Sequence, residues 1–349
     1  MLDRSASAAA AHEHLARAAE RHDRRHWMLA LVVSALAIPH GAGAQTRARM
    51  PRIGVLSYAA APSGTSQDPR FVGFTQGLRE LGYAEKANIL IEQRFADSRP
   101  ERLAAQAADL VQLNVDVLVA FAPAAREAAR KATSTIPIVT VSGSDPVREG
   151  WAQSLARPGG NVTGLTVVYP ELVPKCLEVL KEAFPAVVRV AMLIDPAEIV
   201  DAKEVVQETE AGAQRLGLQL QVIEVRGPSD FDAAFRLARE RNAQALFAVA
   251  FVAHRARLAA LALHDKLLSI SEFPLMTQAG FLMCYGADLS DLGRRCVAQV
   301  DKILKGARPG DLPIERPTKF QLSINLKTAK ALGITVPRAI LLRADEVVE

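Results

Sequence analysis

The spacing of apolar residues alternates along the chain between the patterns typical of strands and of helices. Short apolar runs predict strands, and apolar residues that recur at intervals of three and four predict amphipathic helices. After residue 50 the predicted strands are residues 52–57, 89–94, 115–121 and 136–141. Helices are predicted between them over residues 71–81, 100–113 and 124–132. This alternation is typical of βαβ units in a parallel sheet.

The alternation begins again after residues 157–164, a stretch of Pro, Gly, Asn and Thr that favours turns. The later predicted strands are residues 189–195, 218–225 and 245–250. The later predicted helices are residues 172–183, 201–216, 231–241 and a helix near 289–305. The pattern therefore predicts an α/β fold with two Rossmann-like lobes, each with a parallel sheet, joined by a hinge.

The boundaries of the two lobes follow from this division. We expect an amino-terminal lobe of residues 51–162 plus 287–310, and a carboxy-terminal lobe of residues 165–285 plus 315–349. Ligands of parallel α/β sheets bind beyond the carboxyl ends of the strands. Two lobes that face each other would place those ends around a shared cleft.

The first 44 residues have the order of features of a secretory signal. Arg24 and Arg25 precede an apolar run over residues 27–38, and small residues then lead to Gln45. A charged segment, a short apolar core and a small-residue cleavage pattern are typical of exported proteins. We expect residues 1–44 to be a cleaved signal peptide, exported by the Sec or twin-arginine route, and the mature protein to be periplasmic. Translation could start at Met1 or at Met28.

Composition and charge exclude several classes of function. Half of the 349 residues are apolar, and the net charge of +4 is spread without a basic stripe, so no nucleic-acid partner is expected. The chain has no G-x-S-x-G, Walker or H-E-x-x-H motif. We therefore expect no enzyme activity and no cofactor. The less favoured alternative is an α/β enzyme that acts on a small substrate, and such an enzyme would need a nucleophile, a base or metal ligands that meet at one site.

The cysteines and histidines do not form a metal-ligand pattern. Cys176, Cys284 and Cys296 are odd in number and include no C-x-x-C pair. Buried free thiols are the favoured interpretation, and a Cys284–Cys296 disulfide stays open. His254 and His264, the histidines after the expected signal, stand apart from any Cys, Asp and Glu cluster, so no metal site is expected.

Candidate ligand-binding residues follow the predicted strands or stand near the expected hinge. Small hydroxyl residues and backbone N–H groups at such places can bind a carboxylate, and tyrosine rings can hold an apolar group. Asp145 follows the fourth predicted strand, and its favoured role is to cap a following helix that begins at Pro146. The candidates are Ser57, Tyr58, Ala122, Pro123, Ser142, Asp145, Asp195, Phe251 and Tyr285. With few fixed cations among them, the ligand expected is a small, partly apolar molecule, such as an aromatic or short carboxylate.

Several segments resemble a known family. Residues 154–164, Ser-Leu-Ala-Arg-Pro-Gly-Gly-Asn-Val-Thr-Gly, and residues 325–333, Asn-Leu-Lys-Thr-Ala-Lys-Ala-Leu-Gly, are similar to ABC transporter substrate-binding proteins of the tryptophan-binding-like type. Weaker matches are residues 53–57, 145–147 and 285–286, and the resemblance covers residues 51–349. It implies the type I periplasmic-binding-protein architecture, with capture of a solute by hinge closure and its delivery to an ABC permease. We expect the protein to be a monomer.

Two departures from those family members concern the ligand. Some members bind aromatic amino acids and have a Thr before the Pro after the third strand, where this chain has Ala122. The same members have an Asp–Asn pair at the position of Ala250 and Phe251. The resemblance therefore implies the fold and the transport role, without the amino-acid ligand. A protein that presents its ligand to a sensor receptor is the alternative to transport.

Overall fold

A computed structural model describes residues 49–59, 61, 68–97, 99–196, 199 and 202–349 of the chain. The expected signal peptide, residues 1–44, lies outside this part. Within the described residues, no helix combines the length and the apolar character that a membrane crossing requires.

The first sheet consists of five strands, all parallel to their neighbours. They are β1 (Arg52–Ser57), β2 (Leu90–Phe95), β3 (Val117–Phe121), β4 (Ile138–Ser142) and β5 (Val162–Thr166). Their order across the sheet is β2-β1-β3-β4-β5. The connecting helices are α1 (Pro69–Glu80), α2 (Pro100–Gln112) and α3 (Pro123–Ala132). All three helices begin at a proline, whose fixed φ and missing N–H suit the first helical turn.

Strand β5 differs from the sequence prediction, which assigned residues 157–164 to turns. The turn ends earlier, and Val162–Thr166 pairs in parallel with β4. Gly164 permits this pairing, because its φ is +144° and a Cβ there would lie 2.0 Å from the Thr140 carbonyl oxygen. The glycine that suggested a turn therefore allows close approach of two strands.

The second sheet has seven strands. They are β6 (Arg189–Ile194), β7 (Gln219–Glu224), β8 (Ala245–Val249), β9 (Leu268–Ser271), β10 (Met283–Gly286), β11 (Gln321–Asn325) and β12 (Glu346–Val348). Their order is β12-β11-β10-β9-β8-β6-β7, and only the β10–β11 pair is antiparallel. The helices of this half are α4 (Tyr169–Ala183), α5 (Ala202–Arg215), α6 (Phe231–Glu240), α7 (Arg255–His264), α8 (Leu275–Gln278), α9 (Leu289–Leu304), α10 (Leu326–Leu332) and α11 (Arg338–Leu341).

The two sheets share one strand order. The first five strands of the second sheet, β7-β6-β8-β9-β10, repeat the order β2-β1-β3-β4-β5 of the first. In the first sheet, β2 lies on one side of β1, and β3 and the later strands lie on the other side. The switch point is therefore between β1 and β3, and the corresponding switch point of the second sheet is between β6 and β8. A crevice forms at such a switch point, beyond the carboxyl ends of the strands. The predicted α/β class with two largely parallel sheets is confirmed.

Helix α9 follows the second sheet in sequence but packs against the first. Its N-terminal half lies against α1, and glycines allow the contact. A Cβ on Gly73 would lie 1.8 Å from the Ser290 carbonyl oxygen, and one on Gly293 would lie 2.0 Å from the Arg70 carbonyl oxygen. The two helices therefore run in parallel with their N-termini side by side.

The three cysteines are free and buried. Cys176 donates a hydrogen bond from its Sγ to the Tyr285 carbonyl oxygen at 3.2 Å. Burial raises the pKa of the Cys176, Cys284 and Cys296 thiols, so they stay protonated. No disulfide links Cys284 to Cys296.

Candidate functional site

A cavity of about 400 Å³ lies beyond the carboxyl ends of both sheets. Tyr58 follows β1, Ala122 follows β3, Asp195 follows β6 and Ala250 follows β8, so both switch points open into it. A volume of this size suits a small organic molecule. The shared strand order explains the position of the cavity, because the carboxyl end of each sheet has a crevice at its switch point and both crevices open into the cavity.

Five of the predicted ligand-binding residues line this cavity. Tyr58, Ala122, Pro123 and Ser142 come from the first sheet, and Asp195 comes from the second. Each follows or ends a central strand, which is the feature that suggested it from the sequence. The structure therefore brings residues separated by more than a hundred positions into one site.

Two other predicted residues lie just behind the cavity lining. Ser57 is buried, and its Oγ donates a hydrogen bond to Asp68 Oδ2 at 3.1 Å. Phe251 is buried too, and its ring packs edge-on against Phe231 with the centroids 5.8 Å apart. Ser57 thereby supports Asp68, which lines the cavity. Phe251 lies between the lining residues Ala250 and Val252 in the chain.

The last two predicted residues stand away from the lining. Asp145 Oδ1 accepts hydrogen bonds from the N–H groups of Val147 at 3.0 Å and Arg148 at 3.2 Å. It caps a hydrogen-bonded turn, because residues 146–150 do not form the helix that the sequence suggested. Tyr285 stacks on Phe320 with the ring centroids 6.0 Å apart, beside a separate surface depression.

Aromatic residues form the apolar part of the cavity wall. Tyr58, Tyr169 and Phe273 line it, and the rings of Tyr169 and Phe273 meet at 6.2 Å with a 65° angle between their planes. Tyr169 begins α4 directly after the crossover from β5, and Phe273 follows β9. Neither was predicted from the sequence, because β5 and β9 were not predicted and no strand ends were therefore expected there.

The charged residues of the cavity differ in how they are paired. Arg70 binds Asp68 through two contacts, Nε–Oδ1 at 2.9 Å and Nη2–Oδ2 at 3.0 Å. Arg226 and Arg255 also line the cavity, and neither has a carboxylate within ion-pair distance among the described residues. Two guanidinium groups are thus available to an anionic ligand.

His254 lines the cavity beside these arginines. Burial lowers the pKa of its imidazole, and the nearby Arg257 lowers it further, whereas Asp195 acts in the opposite direction. The ring is therefore neutral near pH 7 and packs edge-on against Phe231 at 5.5 Å. Arg257 does not line the cavity, and its guanidinium carbon lies 5.5 Å from the centroid of the Phe231 ring.

Three non-glycine residues with positive φ surround the cavity. Ala122 has φ 82°, Val168 has φ 33° and Ala250 has φ 68°. Backbone in this region is strained for residues with a side chain, and such residues cluster at functional sites. All three follow strands that end at the cavity or precede helices that begin there, so the strain lies where the chain turns at the edge of the cavity.

Buried polar networks support the wall on both sides. On the first sheet, Arg126 of α3 donates from Nη1 to Ser144 Oγ at 2.6 Å and to Ser142 Oγ at 3.3 Å. On the second sheet, Glu272 Oε1 accepts the Ala250 N–H at 2.6 Å. Burial raises the pKa of Glu272 to about 7. Neither Arg126 nor Glu272 was predicted as a site residue, because neither stands in a recognisable sequence motif.

The cavity has residue types that suit the binding of a small molecule. Among the described residues, no group of three or more His, Cys, Asp and Glu side chains could hold a metal ion. Hydrogen-bond donors, guanidinium groups and aromatic rings face a concave space, which is the usual composition of a small-molecule site.

Known proteins with similar sequences and structures share this architecture. The chain is 25% identical over 272 residues to a tyrosine-binding protein of Clostridioides difficile (strain R20291), covering 77% of this chain and 78% of the relative. A conserved domain protein from Vibrio cholerae has a TM-score of 0.78 and 26% identity, covering 86% of this chain and all of that one. An ABC domain from Streptococcus pneumoniae in complex with L-Trp has a TM-score of 0.77 and 25% identity, covering 85% and 99%.

The protein has the type I periplasmic-binding-protein fold, with a cavity between two α/β sheets. The family model of the ABC transporter substrate binding protein matches residues 54–348, so the chain belongs to that family. The resemblance seen in the sequence is confirmed. Members of the family are binding proteins that serve ABC transporters outside the cytoplasm.

Proposed function

We propose that this protein is the extracytoplasmic solute-binding component of an ABC importer, and that it delivers a small organic molecule to the membrane permease. The observation that carries the proposal is the position of the cavity at the switch points of both sheets. One molecule bound there contacts residues of both sheets, so its binding favours the arrangement in which the sheets approach each other.

We propose that the two sheets form two lobes and that the chain crosses between them after Thr166, before Leu289 and after Glu315. The Thr166 N–H donates to the Glu315 carbonyl oxygen at 2.9 Å, and the Glu315 N–H donates to the Gly164 carbonyl oxygen at 2.9 Å. These paired bonds support a hinge in which two of the crossing segments lie together.

We propose that the ligand is partly apolar and carries a carboxylate. Tyr58, Tyr169 and Phe273 supply apolar surface, and Arg226 and Arg255 supply cations without acidic partners among the described residues. The relatives named for tyrosine and L-Trp bind molecules that combine an aromatic ring with a carboxylate. That combination supports the same ligand chemistry here, whether or not the ligand has an amino group.

We propose that the mature protein works in the periplasm as a monomer, after export by the signal in residues 1–44. The charged, apolar and small-residue segments between Arg24 and Gln45 support export. The extracytoplasmic role of the family supports the same location.

A thermal-shift screen tests the ligand class. Aromatic acids, short carboxylates, amino acids, sugars and nucleosides are each added to the mature protein, because a ligand that binds only the folded state raises its melting temperature. We expect carboxylates with an apolar group to stabilise the protein most. Arg226→Gln should lose most of the shift, and Arg241→Gln, an exposed residue outside the cavity, should keep it. Stabilisation by sugars alone would overturn this ligand assignment.

A further inference from the structure

We propose that Glu272 is a positioning residue of the ligand cavity, and that the cavity binds an anionic ligand more tightly when the Glu272 carboxyl is neutral than when it is ionised. The inference rests on the proposed function, because it concerns the regulation of binding at the same cavity. Glu272 does not line the cavity itself. Ala250, to which it is hydrogen-bonded, and Phe273, its neighbour in the chain, both do.

The Glu272 side chain lies in the core of the second sheet, directly behind the cavity wall. It has no solvent exposure, and its Oε1 accepts the Ala250 N–H at 2.6 Å. Its backbone is enclosed as well, because a Cβ on Gly286 would lie 1.6 Å from the Glu272 carbonyl oxygen. Ala250 has φ 68°, so this hydrogen bond helps to hold a strained residue of the wall in place. Ala250 therefore connects the Glu272 carboxyl to the cavity.

The Ser271 hydroxyl lies between two acceptors and has one proton. Its Oγ lies 2.8 Å from the Ala248 carbonyl oxygen and 3.0 Å from Glu272 Oε2. A serine hydroxyl donates a single hydrogen bond, whereas its oxygen can accept others. Ser271 therefore cannot donate to both oxygens at once. The oxygen that receives the proton depends on whether Glu272 is charged.

A neutral Glu272 satisfies every polar group of this network. Its Oε2–H donates to Ser271 Oγ, and Ser271 in turn donates to the Ala248 carbonyl oxygen. An ionised Glu272 accepts the Ser271 proton instead, which withdraws that proton from the Ala248 carbonyl. Oε1 accepts the Ala250 N–H in both states. The wall therefore keeps its shape while the charge behind it changes.

The two states of Glu272 interchange near neutral pH. Burial raises the pKa of Glu272 to about 7, because hydrogen bonds from Ala250 and Ser271 offset only part of the cost of burying a charge. Cys176 of α4 and Cys284 of β10 also face Glu272, and burial raises the pKa of both thiols, so they stay protonated. Strands β8 and β9 have no ionisable side chain.

An anionic ligand shifts this titration towards the neutral carboxyl. A carboxylate in the cavity repels a negative charge behind the wall, and a closed cavity holds less water to screen that repulsion. The pKa of Glu272 is therefore higher in the complex than in the free protein. By linkage, the additional affinity is fully present below the free-protein pKa of about 7, and it is lost as pH rises from that value to the pKa of the complex.

Titration calorimetry on the mature protein tests this coupling. The probes are indole-3-propionate and L-tryptophan, whose carboxylates stay ionised at neutral pH. We expect the dissociation constant of at least one probe to rise roughly fivefold to tenfold between about pH 6 and pH 8. Binding near pH 7 should also take up a fraction of a proton, which heats measured in buffers of different ionisation enthalpy detect.

Glu272→Gln imitates the neutral carboxyl, because its amide N–H can donate to Ser271 and its amide oxygen can accept from Ala250. Near pH 8 it should bind the probe roughly fivefold to tenfold more tightly than the wild-type protein, and its affinity should not change with pH. A purely structural role for Glu272 would instead weaken binding at every pH. Exposed Glu240→Gln is the matched control and should keep the wild-type pH profile.

Two further variants separate Glu272 from its neighbours. His254 lines the cavity and also titrates, although burial lowers its pKa, and the neighbouring Arg255 is a fixed cation. His254→Gln should alter the affinity but keep its decrease between about pH 7 and pH 8. Ser271→Ala removes the donor that the ionised carboxylate uses, so we expect the decrease in affinity to move to higher pH. Melting curves identify the variants that fold.

The outcomes separate this inference from the proposed function. A wild-type affinity that is constant or increases over this pH range would overturn the inference while ligand binding itself stands. A wild-type pH profile in folded Glu272→Gln, or in Ser271→Ala if Glu272→Gln does not fold, would overturn it as well. Failure of both probes to bind at any pH also contradicts it. If no class of compound in the thermal-shift screen stabilises the protein, the proposed function fails too.

Discussion

At the scale of single residues, the buried carboxylate Glu272 connects the core of the second sheet to the cavity. Its Oε1 accepts the N–H of Ala250, the strained residue of the cavity wall, and its Oε2 accepts the Ser271 hydroxyl at 3.0 Å. Burial raises the pKa of Glu272 from 4.5 to about 7, although the hydrogen bonds from its neighbours act to lower it. The folded protein therefore holds this proton at pH values where the unfolded chain has released it.

We expect the stability of the protein to fall as pH rises from about 5 to 8. Below the unfolded pKa of 4.5, Glu272 is protonated in both the folded and the unfolded state. Its contribution to the free energy of unfolding is lost as pH rises through the folded pKa of about 7. The change corresponds to about 3 kcal/mol in the free energy of unfolding. Urea unfolding at several pH values measures it.

Glu272→Gln should flatten this pH dependence, because its side chain stays neutral. Exposed Glu240→Gln is the control and should keep the wild-type slope. The buried thiols of Cys176 and Cys284 face Glu272 but stay protonated over this range, since burial raises their pKa. An unchanged slope in Glu272→Gln would assign the pH dependence to other groups.

Site residues could be predicted from the sequence where a strand was recognisable before them, and not where the strand gave no clear pattern. Tyr58, Ala122, Ser142 and Asp195 follow strongly apolar runs, so the rule about carboxyl ends found them. Arg126 and Glu272 are ionisable side chains buried inside the protein, whereas a pattern of apolar positions assigns ionisable residues to the surface. Their burial depends on partners far away in sequence, such as Ala250 for Glu272 and Ser144 for Arg126.

At the scale of elements, the contact between α1 and α9 determines one wall of the cavity. Gly73 and Gly77 lie one helical turn apart on α1, and Gly293 faces them from α9. These glycines bring the backbones close enough that Pro69 and Leu289, at the two helix N-termini, both line the cavity. Both helices were predicted from the sequence, and residues 287–310 were expected in the same lobe as residues 51–162, but nothing in the sequence indicated that glycines form the contact between them.

We expect Gly73→Ala to destabilise the protein by about 1–3 kcal/mol, because overpacking forces backbone shifts. The added Cβ would lie 1.8 Å from the Ser290 carbonyl oxygen, which is backbone and must move with its helix. Thermal and urea unfolding measure the loss. Gln76→Ala, on the exposed side of the same helix, is the matched control and should change stability little. Wild-type stability in Gly73→Ala would contradict this close packing.

The shortest strands of the second sheet escaped the sequence analysis for a physical reason. Strands β9, β10 and β12 have four, four and three residues, too few for a period to be recognised. Strand β11 joins the sheet by antiparallel pairing with β10, a contact between residues some forty positions apart. Such strands are determined by the sheet edge that receives them, and their own residues carry a weaker signal.

At the scale of the whole molecule, the equal strand order of the two sheets produces a site with two sides. Each sheet alone would offer a crevice open to solvent, and the two together enclose about 400 Å³. Binding between such halves is typically coupled to hinge closure. The ligand then supplies the free energy that distinguishes the closed state from the open one.

Solution X-ray scattering measures this coupling. We expect the radius of gyration to decrease when the protein is saturated with the best ligand from the thermal-shift screen. Arg226→Gln at the same ligand concentration should show a smaller decrease, because it removes a cation of the second sheet from the cavity. An unchanged radius at saturation in the wild-type protein would count against closure.

The glycine contact between α1 and α9 also has an evolutionary consequence. Any side chain added at Gly73 or Gly293 meets backbone, so point substitutions cannot move this wall without loss of stability. Relatives that descend from this protein and acquire new solutes should therefore keep these glycines. Their changes should accumulate at Tyr58, Tyr169 and Phe273, whose side chains can vary in size while the helix pair remains in place.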